Sequence, residues 1–403
     1  MERRVIKRNL GVMAATWAIM SPFTSATGVY SSLYILELGG SPVEVGLIVM
    51  VGTIVLAFSR LIGGYLADTV GRKRILVPMT TLYGASYFLY ALAPDWTWVL
   101  WGTVVGSVAL MYQPAVQAIV ADTLPPESRG KGLTASQTPS QLTALAGPPL
   151  ATVLVSAMGL EDAMRLLYSV TALAVMSAGL LRTLLIETHR RKVQLGFRQA
   201  LGEYLSALKL LKGDLGRLLM VTSSVRALYR MSFPFAQIYA VKILGVSEEF
   251  WGLISTAMSF ESTFTTLISG YLADRVGRSA VMALGYASGA TGLGMLALAP
   301  KDQPLYVLGS MLIAVAFASR PAAFALMADL TDREVRGKVS AISGLLEGNL
   351  SGMMSGVGGI AYSLYPPLPF GIAAIGLIPL TIITWRILPG GAVGSNPTRE
   401  PTS

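Results

Sequence analysis

The sequence predicts an all-α polytopic membrane protein: twelve transmembrane helices in two six-helix bundles, with both termini on the cytoplasmic side. Three observations carry this. The 403 residues are 53% hydrophobic and 13% charged, with a mean hydropathy of +0.59, against about 25% charged in soluble domains. Apolar runs long enough to cross about 30 Å of hydrocarbon recur along the whole chain. A stretch of sequence also returns at an offset of 206 residues, "GGYLADTVGRKR" at 63–74 as "SGYLADRVGRSA" at 269–280, so the chain is one unit written twice. The low charge excludes disorder, and the absence of cysteine excludes a disulfide scaffold. A single histidine, His189, argues against zinc, haem or Ser-His-Asp chemistry, and no metal or cofactor is expected.

The spans fall near 10–34, 43–66, 75–93, 97–121, 133–158 and 163–186, then near 216–241, 249–272, 280–299, 304–328, 339–364 and 368–388. The basic start followed by an apolar stretch shares features with a secretory signal. That run is longer than a signal core and further spans follow it, so it is read as a retained first helix. The domains are therefore 1–188, a linker at 189–215, and 216–403. In the linker Phe197, Leu201, Tyr204, Leu205, Leu208 and Leu211 recur at helical spacing opposite Arg198, Gln199, Lys209 and Lys212, the pattern of a helix lying on the inner membrane surface.

Orientation follows from the cations. Of the 31 Lys and Arg, Arg165, Lys242 and Lys301 fall on one side, Arg60, Arg226, Arg230 and Arg320 within spans, and the rest on the side of the termini. The net charge of +9 thus reflects topology and anionic lipid headgroups rather than nucleic acid. Trp96, Trp98, Trp101 and Trp251 mark outer span ends and Trp385 an inner one.

The repeat extends further. "LGGSPVEVGLI" at 38–48 matches "LGVSEEFWGLI" at 244–254, "QPAVQAIVAD" at 113–122 matches "RPAAFALMAD" at 320–329, and "RGK" closes both at 129–131 and 336–338. On these residues the chain resembles the major facilitator superfamily, twelve-helix secondary transporters built from two such halves. The most specific part is the loop motif G-x-x-x-D-x-x-G-R-[RK], present as Gly64, Asp68, Gly71, Arg72 and Lys73, and again as Gly270, Asp274, Gly277 and Arg278. The resemblance implies an inner gate in which Asp68 caps a helix of the opposite half while Arg72 engages Asp122. Arg129, Asp329 and Arg336 complete the gate motif. Such a gate agrees with the attraction of carboxylates to helix N-termini and of Arg forks to carboxylates. In the fifth span Gly147 and Pro148 resemble the core of a drug/proton antiporter motif, although its flanking glycines are absent and Gly102 stands where those antiporters carry an arginine in helix four.

Ionisable groups inside a membrane are costly and functional by default. Here they are Arg60, Arg226, Arg230, Glu261, Arg320 and Glu347. At 1.5 Å per residue, Arg230 and Glu261 both sit about 20 Å from the inner ends of their spans, and Arg320 and Glu347 about 13 Å. This predicts the pairs Arg230–Glu261 and Arg320–Glu347, either as structural locks or as proton-coupling sites, and leaves Arg226 as a substrate handle. At similar depth the first half offers Trp17, Tyr112, Gln113, Gln117, Gln137 and Gln141, and Tyr229 joins the substrate set. The function expected is secondary active transport of small organic solutes by alternating access in the cell membrane, proton-coupled through Glu261 and Glu347, with drug efflux as one version. Import or exchange of organic anions, and a non-transporting sensor, are the alternatives. No enzymatic chemistry is expected, and a monomer in contact with lipid is.

Overall fold

The computed structural model describes residues 2–124, 129–188, 202, 212–299, 302–317, 319–332 and 335–388. Among them the backbone is helical, without a strand, and forms the spans in the predicted order. The first half comprises α1 (Glu2–Val29, continued as Ser31–Glu37), α2 (Pro42–Thr69), α3 (Arg72–Ala91), α4 (Trp96–Ala109, a 3-10 turn at Leu110–Tyr112, then Gln113–Thr123), α5 (Arg129–Ala144 and Gly147–Met158) and α6 (Leu160–Leu181, ending in a 3-10 turn at Arg182–Leu184). The second comprises α7 (Gly213–Ile238, ending in a π-helical turn at Tyr239–Ile243), α8 (Glu248–Val276), α9 (Arg278–Leu298), α10 (Gln303–Ala316 and Ser319–Asp329), α11 (Arg336–Leu364) and α12 (Leu368–Ile387). Seven segments of the described chain are long and apolar enough to cross a membrane by length and composition alone; α1, α3, α7, α8 and α11 carry charges at their ends or centres. Phe197, Leu201, Tyr204, Leu205, Leu208 and Leu211, the apolar face expected of the linker, lie outside the described residues.

Four of the helices that start at the outer surface, α2, α4, α8 and α10, carry side-chain caps. The Ser41 hydroxyl accepts from Val43 N at 3.2 Å while Glu44 accepts from Ser41 N at 2.8 Å, a capping box opening α2. Asp95, Ser247 and Asp302 accept from Thr97 N, Phe250 N and Leu305 N to open α4, α8 and α10. The Thr97 hydroxyl and amide hold the Asp95 carboxyl below its ordinary range. At the inner surface α3 and α9 instead start directly after Gly71 and Gly277, at φ 114° and 95°, a backbone conformation that disfavours any residue with a Cβ.

Spans α4 and α10 are both broken at the same point of the repeat. Proline follows in each case, Pro114 and Pro321, and it lacks the N–H that would continue the helix. Gln113 N bonds Leu110 O, and Arg320 N bonds Phe317 O, three residues back. Each break therefore sets one polar side chain, Gln113 or Arg320, at the head of a new helical segment in mid-span. On the first side α2 packs directly on the break, since a Cβ at Gly63 would collide with the Met111 carbonyl.

Candidate functional site

Four guanidiniums converge on the centre of the bundle. Arg226 on α7 donates from Nη1 to Glu347 Oε2 on α11 at 2.7 Å, and Glu347 Oε1 accepts from the Ser343 hydroxyl at 3.0 Å. Arg60 on α2 donates from Nε to Gln113 Oε1 at 2.7 Å and stands within electrostatic reach of Arg226 across the two halves. Arg320 stands within reach of Arg226, Glu347 and Arg230. Arg60, Arg230 and Arg320 are exposed, and the Arg226 side chain is 42% exposed, although each lies deep within its span. Charges that converge in mid-span yet stay accessible define a polar cavity between the halves.

The predicted pairing is corrected here. Arg226, expected to lack an acid, holds Glu347; Arg320 is near Glu347 without bonding it; and Arg230 makes no ion pair with Glu261. Spacing along a helix gives depth, but the side-chain direction around the axis decides which of two equally deep arginines meets the acid. Glu261 is left alone. Its Oε2 is enclosed without a hydrogen-bond partner, and the hydroxyls beside it, such as Ser262 and Thr265, donate to carbonyls of their own helix.

Two more expected cavity residues turn into packing. Tyr112 is buried beneath the Arg182 guanidinium, 5.1 Å from its ring centre, and beside Tyr83 at 6.5 Å. Tyr229 lies against Gly289 and stacks with Phe317 at 6.4 Å, its hydroxyl unpartnered. Gln117 and Gln141 are exposed and Gln137 is half-buried. Arg182 was missed. Placed among the inner-surface cations by sequence, it is wholly buried, donating from Nη1 to the Thr80 hydroxyl at 2.6 Å and from Nε to that of Thr16 at 3.5 Å.

The loop motif forms an ion pair in each half. Arg72 engages Asp122 and donates to Ala118 O at 2.9 Å and Thr188 Oγ1 at 3.3 Å. At the equivalent repeat position Arg278 engages Asp329 and donates to Ala325 O at 2.8 Å. Glu187, which the sequence reading did not single out, accepts from Lys73 N at 2.9 Å and so supplies the cap that α3 lacks. Asp68 and Asp274 are exposed at the inner ends of α2 and α8 beside Gly64 and Gly270, and Arg129 and Arg336 open helical segments. Gly147 packs on α1, where a Cβ would lie 2.6 Å from the Pro22 carbonyl; close helix contact accounts for it.

The halves meet at the outer end. Gln237 Oε1 on α7 accepts from Ser32 N at 3.2 Å and Leu33 N at 3.4 Å, and its Nε2 donates to Ser32 Oγ at 3.1 Å. The Tyr30 hydroxyl donates to Glu248 O at 2.8 Å, Trp251 Nε1 to Val29 O at 3.0 Å, and Lys242 pairs with Glu37 at 3.1 Å. Along one flank α2 and α11 touch through glycines, with Gly46 against Gly359 and Gly352 against Met50. Among the described residues no three His, Cys, Asp or Glu gather as a metal site would require.

The sequence matches the model of the Major Facilitator Superfamily over residues 12–225 and 218–402. A Na(+), Li(+), K(+)/H(+) antiporter of Planococcus maritimus is 31% identical over 150 residues, a stretch covering 36% of this chain and 34% of that protein, so the match spans about a third of the relative's length. The fold superposes on a nucleoside transporter with a TM-score of 0.76 at 14% identity, over 95% of this chain and 100% of that one. A D-xylose-proton symporter gives 0.72 at 17% identity, over 96% and 98%.

Proposed function

The chain belongs to the major facilitator superfamily, and on that premise we propose that it is a proton-coupled secondary transporter of small organic solutes, working by alternating access in the cell membrane without covalent chemistry. The bundles 1–188 and 216–403 rock about the central cavity, and the gate residues Asp68, Arg72 and Asp122, with Asp274, Arg278 and Asp329 in the second half, hold and release its inner end. Arg226, Arg230, Arg320, Gln113, Gln117, Gln137 and Gln141 face the solute. The observation that carries this reading is the division of labour among the mid-span charges. The arginines gather around Arg226, which holds Glu347, whereas Glu261 makes no ion pair among the described residues. A mid-span carboxyl that no cation holds can take up a proton and give it back when water reaches it.

The excess of arginines favours a solute with negative charge over a cationic drug. Exchange of alkali cations for protons, named for the P. maritimus relative, is a second reading, and it is favoured by Glu261 lying among hydroxyls. Vesicles containing the purified protein and a pH-sensitive dye test the proposal. Wild type moves protons when an organic anion gradient is imposed, and Glu261→Gln still binds the anion but moves no protons. Uphill transport surviving in Glu261→Gln overturns the coupling role, proton movement driven only by Na+ or K+ moves the assignment to cation exchange, and absence of any flux points to a sensor.

A further inference from the structure

Resting on the transport reading and narrowing it, we infer that the solute carries two negative charges, one engaged by each half of the protein. Arg60, Arg230 and Arg320 all stand within electrostatic reach of Arg226, and the one carboxylate found with them among the described residues, Glu347, is already held by Arg226. Arg60 is the only one of these cations in the first half. Gln113 takes just its Nε, and among the described residues both terminal nitrogens of the fork are free for a bidentate partner. Across the cavity the guanidiniums of Arg230 and Arg320 donate no hydrogen bond among the described residues. A guanidinium with unused donors therefore faces the cavity from either side.

The charges also act on one another. Arg60 and Arg226 repel across the boundary between the halves, and in a partly dry cavity such repulsion is stronger than in water. A solute with one negative charge satisfies one fork and leaves the opposite one facing a like charge. A solute with two engages both forks and turns repulsion into attraction between the halves, the differential affinity that a conformational change requires. Among the described residues Glu261 pairs with no guanidinium, so proton and solute occupy separate places. Two chemistries meet the requirement equally, a dicarboxylate and a phosphate monoester.

The test is thermal unfolding of purified full-length protein at constant ionic strength, with succinate against its monomethyl ester and phenyl phosphate against benzenesulfonate. A ligand that binds the folded state raises the midpoint in proportion to its affinity. At least one dianion is expected to act at a concentration tenfold or more below that of its monoanionic partner, and which pair shows the difference separates dicarboxylate from phosphate. Arg60→Gln is expected to remove that advantage while leaving the monoanion response in place, and Arg60→Lys, which keeps the charge without the fork, to fall between. Equal response to both members of each pair, no response to any, or an advantage that survives Arg60→Gln overturns the inference. Circular dichroism of each variant establishes that it is folded, and Arg60→Lys carries the test if Arg60→Gln is not. Proton flux driven by a monoanion alone sinks the dianion while sparing the transport reading; dianion protection without any flux does the reverse.

Discussion

Arg182 is the largest side chain that the protein buries completely, and it does so with neutral partners. Thr80, Thr16 and the Tyr112 face surround its guanidinium, and Nη2 is enclosed without a hydrogen bond. A charge held this way costs more in lost hydration than neutral contacts return, so it contributes position rather than stability. What it positions is Tyr112, and through the next residue Gln113, the acceptor for Arg60. Arg182→Met is expected to unfold at the wild-type temperature or above while transporting poorly. Arg182→Lys keeps the charge but cannot span both threonines, and is expected to lose about 2 kcal/mol. Tryptophan fluorescence during heating, alongside transport in vesicles, reads both, and a large loss of stability in Arg182→Met would show that the contacts outweigh the burial cost. The sequence could not reveal this residue, because an arginine at the inner end of a span looks the same whether it snorkels to water or turns inward. The same ambiguity of direction misassigned Glu347 to Arg320, whereas the pair Arg72–Asp122 was legible through the loop motif's resemblance to that of the superfamily.

At the scale of elements, the breaks in α4 and α10 convert a repeated sequence into an asymmetric site. The prolines that cause them are visible in the sequence, and so is the substitution of Gln113 by Arg320 at the point they present. The close approach that fixes the first break is not visible, since Gly63 resembles any other membrane glycine until Met111 is placed against it. Gly63→Ala forces α2 away from the Met111 carbonyl and is expected to cost about 1–3 kcal/mol, as overpacking does elsewhere, and to weaken the Arg60–Gln113 bond. Gly344 on α11 has nothing within 4 Å of where its Cβ would stand, so Gly344→Ala is expected to gain up to about 1 kcal/mol from helix propensity alone. Thermal unfolding of the two variants side by side decides whether contact or propensity governs these helices; equal shifts would remove Gly63 from the packing argument.

The whole molecule is closed at its outer end, where Val29, Tyr30, Ser32, Leu33 and Glu37 of α1 meet Gln237, Lys242, Glu248 and Trp251 of α7 and α8. The duplication could be read from the repeat, and the loop ion pairs Arg72–Asp122 and Arg278–Asp329 fall at equivalent positions of it. This closure could not, because Gln237 and Ser32 are unremarkable until two distant parts of the chain are brought together. The bonds use backbone groups and neutral side chains for the most part, each worth about 1 kcal/mol net, so the closure can open without a large barrier, and alternating access requires that it does. The chain contains no cysteine, which allows thiols to be placed at will. Ser32→Cys with Gln237→Cys, joined by a short bis-methanethiosulfonate that forms a disulfide at each thiol as methanesulfinate leaves, is expected to stop transport in vesicles while preserving stabilisation by ligand added from the inner side, and reductant is expected to restore the flux. Each single-cysteine variant treated with the same reagent controls for modification alone. Undiminished flux in fully cross-linked protein would mean that the α1–α7 contact stays shut throughout the cycle and that the outer opening lies elsewhere on the boundary between the halves.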